Sequence, residues 1–122
     1  MTDHNQWARL RAHSRRNRRG YTDVLKDHGV TAKGYVSCTE VIYVEIIGDR
    51  AWKIRYRRNL PPKANVRDHL DNIELSAVAL SEALAARAIE HSMVVGNAAC
   101  TDVTAQCARD IAQVISRHNQ DG

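Results

Sequence analysis

The clearest pattern in the chain is a stretch with the two-residue period of a β-strand. From Tyr35 to Ile47 the sequence is dense in Val, Ile, Tyr and Thr, the residues that suit a pleated strand. From Ala51 to Arg58 it alternates, with Trp52, Ile54 and Tyr56 set against Lys53, Arg55 and Arg57. Gly48-Asp49-Arg50 lies between the two runs. The pattern predicts an antiparallel β-hairpin over about 35–47 and 51–58. A three-residue turn places Ile46 opposite Trp52, Val44 opposite Ile54 and Ile42 opposite Tyr56, which makes one face wholly apolar. A two-residue turn slips the register by one and mixes the faces, so the longer turn is preferred. The outer face then pairs Glu45 with Lys53, Tyr43 with Arg55 and Val41 with Arg57.

The remaining segments read as helices. Residues 5–28 are rich in Arg, Ala, Leu and Lys, all compatible with a helix, with an expected break near Gly20. Trp7 and Leu10 begin an apolar stripe that fails through Ser14, Arg15, Arg16, Asn17, Arg18 and Arg19 and resumes at Tyr21, Val24 and Leu25. Residues 1–20 therefore read as a basic, loosely attached helix or arm, and 21–122 as one domain. Leu60-Pro61-Pro62-Lys63 is an extended linker, because consecutive prolines suit neither helix nor central strand. Asn65 is the expected N-cap of a long helix over about 66–92, with an apolar stripe at Ile73, Ala77, Leu80, Leu84 and Ala88. Thr101 is the expected cap of a last helix over about 102–118, with Val103, Cys107, Ile111 and Val114 turned inward. The fold class is then α+β, with the helices packed on one face of a hairpin too small to stand alone.

Composition and charge narrow the functional classes. At 122 residues the chain is one domain's worth, and 43% hydrophobic with 26% charged content is ordinary for a globular protein. No apolar run approaches the roughly 20 residues needed to cross a bilayer. Three cysteines, Cys38, Cys100 and Cys107, match no disulfide framework, and with no apolar leader visible the expected compartment is the cytoplasm, with no membrane partner. The net charge of +4 is unevenly spread. Residues 1–20 carry six arginines against one aspartate, whereas residues 61–122 carry five basic and eight acidic residues. Such a split suggests a polyanionic partner for the basic half.

The candidate site follows from that split. Arg9, Arg11, Arg15, Arg16, Arg18 and Arg19 on the arm, with Lys53, Arg55, Arg57 and Arg58 on the hairpin, are the expected phosphate contacts. Tyr43 among them is the expected stacking residue. The expected function is a non-catalytic binding protein for a polyanion, nucleic acid first. The alternative is a protein-interaction module, an accessory or inhibitory factor docking its basic face on an acidic protein, with a homodimer or higher homo-oligomer expected. A third reading is a thiol enzyme built on Cys100, taken to lie just before a helix N-terminus with His91 nearest in sequence. No phosphate loop, nucleophile elbow or HExxH motif is present, and the His and Cys spacings form no zinc knuckle, so neither cofactor nor metal is expected.

Overall fold

A computed structural model describes residues 2–121, with side-chain placement for residues 4–119. Its elements are α1 (Thr2–Asp27), α2 (Ala32–Ile46), α3 (Ala51–Arg57), a 3-10 turn (Val66–His69), α4 (Asn72–Ser92) and α5 (Asn97–Asp121). No strand occurs among the described residues, so the α+β reading and its hairpin are overturned: the fold is all-α. Both expected strands are helices. In α2 the buried positions are Gly34, Cys38 and Ile42, recurring every fourth residue as a helix face does, with Tyr43 beside Ile42. In α3 only Ile54 is buried, while Trp52 and Tyr56, placed inside by the alternation, stand in solvent. Strand propensity measures fit to a half-buried surface. Here Ile42 finds that surface between helices instead, while Val36 and Val44 are left exposed.

The first helix runs unbroken through Gly20. Its inward positions are Trp7, Arg11, Ser14, Arg18, Tyr21 and Leu25, spaced alternately four and three. The apolar stripe does not stop; polar residues occupy it. Arg11 is buried and bonded through Nε to Asp68 Oδ1 at 2.8 Å, and Ser14 is fully enclosed. Tyr21 reaches Thr104 at 2.5 Å. Because the Thr104 hydroxyl donates to the Cys100 carbonyl, the phenol must be the donor to Thr104. Burial pushes the Tyr21 phenol far above its usual pKa, with Cys38 adding to the rise, which keeps that proton in place.

Helix boundaries also differ from the expectation. Asn65 caps only the 3-10 turn, accepting from the Arg67 amide at 3.1 Å. The chain then extends through Leu70 and Asp71, and Asp71 and Glu74 form a reciprocal capping box that starts α4. The last helix begins at Asn97, after Gly96 in the left-handed region at φ 97°, so Thr101 lies inside it.

Packing makes a four-helix arrangement with one open side. Helix α1 packs on α4, α4 on α5, and α5 on α2. Helices α1 and α2 make little direct contact, although only the short loop through Gly29 and Thr31 joins them. That loop is tied to the α4–α5 turn. The Gly96 amide donates to the His28 carbonyl at 2.8 Å, and Thr31 and Asn97 exchange two hydrogen bonds of 2.8 Å. Gly34 of α2 lies directly against the Asn97 and Val30 side chains.

The open side is closed at its base by charge. Glu82 of α4 has no solvent exposure. Both oxygens accept from Arg67 of the 3-10 turn, at 2.9 and 2.8 Å, and Arg18 of α1 adds a third bond at 3.0 Å. Arg67 is itself buried and lies 5.8 Å above the Tyr43 ring. Burial alone would lower the pKa of its guanidinium, but Glu82 and Tyr43 outweigh it and the group stays charged. A smaller pair lies at the start of α4, where Arg58 grips Glu74 at 2.7 and 3.1 Å. Burial would raise the Glu74 pKa, yet the hydrogen bonds from Arg58 and the Asp71 amide, with the Arg58 charge, hold it below the usual value.

Four outcomes test this account. Glu82→Gln strands the buried Arg67 charge and should cost about 3–5 kcal/mol in urea denaturation. The double change Arg67→Met with Glu82→Leu removes both charges and should recover much of that loss. Gly34→Ala forces a methyl group into the hydrogen-bonded Asn97 amide. The overlap should outweigh alanine's better helix propensity and destabilise by about 1–2 kcal/mol, and an unchanged midpoint would show that α2 and α5 can separate freely. Because Glu74 titrates low in the folded state, its contribution is complete above the ordinary carboxylate range and is lost as pH falls through the folded value. Glu74→Gln should therefore flatten the acid limb of stability against pH.

Candidate basic cleft

Helical geometry sorts the arginines of α1. Arg11, Arg15, Arg18 and Arg19 are spaced i, i+4, i+7 and i+8 and share one side of the helix. That side faces the gap towards α2, where the four line a cleft of about 490 Å³ with Thr39, Tyr43, Asn65 and Arg67. A second hollow of about 290 Å³ shares Arg18, Thr39, Tyr43 and Asn65 with it and continues to Tyr35, Glu40, Ala51 and Arg55. The larger hollow is thus walled by five arginines and no carboxylate.

Charge in the cleft is only partly answered. Arg11 is matched by Asp68, and Arg18 and Arg67 by the buried Glu82. Among the described residues no carboxylate pairs with Arg15 or Arg19, and both are exposed. The arrangement resembles a recess whose inner cations are fixed by buried partners and whose rim cations are free to meet an anion. Guanidinium forks suit bidentate contact with phosphate oxygens.

The other expected contacts lie elsewhere. Arg9 and Arg16 are exposed on α1 but do not line the cleft. Lys53 and Arg57 turn to Asp49, the lysine at 3.8 Å. Arg58 is held by Glu74 and by the His69 carbonyl. Arg55 does line the smaller hollow and donates to the Ala64 carbonyl at 2.7 Å. Tyr43 sits in the cleft wall, yet its ring is buried and covered by Arg67, so a base cannot stack on it without displacing that charge. Two contributors escaped the sequence reading. Both lie in the acidic second half of the chain, where the sequence reading places no candidate contact. Only the spacing of Glu82 within the α4 face that carries Leu75, Val78, Ala85 and Ile89 gave a signal of its burial.

Cys100 is enclosed in the first turn of α5, and burial, with Cys38 next, pushes its thiol above the ordinary value. That is the reverse of what an activated thiolate needs. Among the described residues no three His, Cys, Asp or Glu side chains gather as a metal set, and no described helix is long and apolar enough to cross a membrane. Neither the scan of protein-family models nor the search of curated proteins found a match to this chain.

Proposed function

We propose that the protein is a binding module that takes the phosphate backbone of a polyanion, nucleic acid above all, into the cleft between α1 and α2. The observation that carries this reading is the pair Arg15 and Arg19. They stand at the rim of an arginine-walled recess, no carboxylate pairs with them among the described residues, and Arg11, Arg18 and Arg67 stand behind them. Binding by such a surface draws on counterion release and weakens steeply with salt. The uneven charge of the chain adds long-range attraction for the same partner.

Fluorescence anisotropy with labelled oligonucleotides at several salt concentrations tests the proposal. The double variant Arg15→Gln, Arg19→Gln should weaken binding and reduce the log–log salt slope by about 2, one for each lost phosphate contact. Arg9→Gln with Arg16→Gln removes the same charge outside the cleft and should change affinity little. Equal losses from the two pairs would show that net charge, not the cleft, attracts the ligand. Retention of an acidic protein partner from nuclease-treated extract, with no oligonucleotide binding at low salt, would reject nucleic acid.

A further inference from the structure

Trp52 and Tyr56 are 63% and 79% exposed, an unusual position for two large aromatic side chains. They sit one turn apart on α3, so they share a face with Cβ atoms about 5–6 Å from each other. The same short helix turns Ala51 and Arg55 into the smaller hollow of the basic cleft. Successive helix residues are rotated by about 100°, so the Trp52–Tyr56 face lies next to the one that lines the cleft. Its surroundings are cationic as well. Lys53 and Arg57 share the single carboxylate of Asp49, and Arg50 precedes the helix with no ion pair among the described residues.

From this placement we infer that α3 is a stacking platform that makes the cleft selective for single-stranded nucleic acid. The inference rests on the proposed polyanion binding and names the ligand class. A strand whose phosphates meet Arg15 and Arg19 passes Arg55 and reaches two solvent-exposed rings. Unpaired bases have free faces to lay on those rings, whereas a duplex keeps its bases stacked on one another. Stacking on aromatic side chains is tolerant of sequence, and the neighbouring cations follow the backbone. DNA and RNA offer the same faces and the same phosphates, so both are accommodated by this chemistry.

The test compares oligothymidine, oligouridine, a DNA duplex and inorganic polyphosphate on the full chain. Trp52→Ala and Tyr56→Ala alter exposed side chains, and circular dichroism melts should match the wild type. Each should weaken both single strands by about tenfold, within the range for loss of one stacked base, and leave polyphosphate and duplex unchanged. Single-strand binding should also quench Trp52 fluorescence, read in a Trp7→Phe background. A loss on oligouridine alone or oligothymidine alone assigns the platform to that nucleic acid. Unchanged single-strand affinity in both variants, with wild-type binding intact, overturns the platform and leaves the cleft reading standing. Failure of the wild type to bind any of the four at low salt overturns both.

Discussion

The structure turns on one carboxylate placed where water cannot reach it. Glu82 joins three separate pieces of chain: its own helix α4, the 3-10 turn through Arg67, and α1 through Arg18. A buried ion is costly, and its bonds offset that cost only when the geometry satisfies its lone pairs. Here both oxygens are occupied, one of them twice. The consequence is positional more than energetic. Arg67 is held over Tyr43, the 3-10 turn is fixed across the open side of the bundle, and α1 is aligned so that its remaining arginines meet the same gap.

How far this was readable from the sequence depends on the element. The long helix α4 was legible as a helix but not in its orientation: of the stripe expected to face inward, Ile73 and Leu80 are exposed, and the core face is instead Leu75, Val78, Ala85 and Ile89. The hairpin was not there because two signals coincided. Tyr35–Ile47 is rich in β-branched residues, and a short apolar run cannot be assigned to strand or helix by period alone. Ala51–Arg57 alternates by chance of composition: of Trp52, Ile54 and Tyr56, only Ile54 enters the core. The expected break at Gly20 had a different cause. The stripe of α1 carries Arg11, Ser14 and Arg18 at inward positions, and a count of hydrophobic residues cannot recognise an arginine as a core residue until its partner is known. Those partners, Asp68 and Glu82, lie 57 and 64 residues away.

The candidate site was legible as composition and illegible as geometry. An excess of arginine near the start of the chain was evident, and four of the six converge. What selects the four is the helical angle, which follows once α1 is taken as one unbroken helix. The expected second-strand cations separate for the same reason. On a strand Lys53, Arg55 and Arg57 share a face, but on a helix Lys53 and Arg57 stay together, turned to Asp49, while Arg55 is rotated away from them and turns to the cleft.

Folding alone gives no reason for Arg15 and Arg19. Arg11, Arg15 and Arg19 follow one another at i, i+4, a spacing at which like charges destabilise a helix by about 0.2–0.5 kcal/mol per pair. The inner arginines answer for themselves, since each anchors a carboxylate that ties α1 to the rest of the bundle. The rim arginines anchor nothing, and glutamate at position 15 would relieve the repulsion and pair with its arginine neighbours. If Arg15 and Arg19 serve a ligand, removing their charge should leave stability equal or higher while binding falls. That combination separates a surface held for a partner from one that merely solvates the fold.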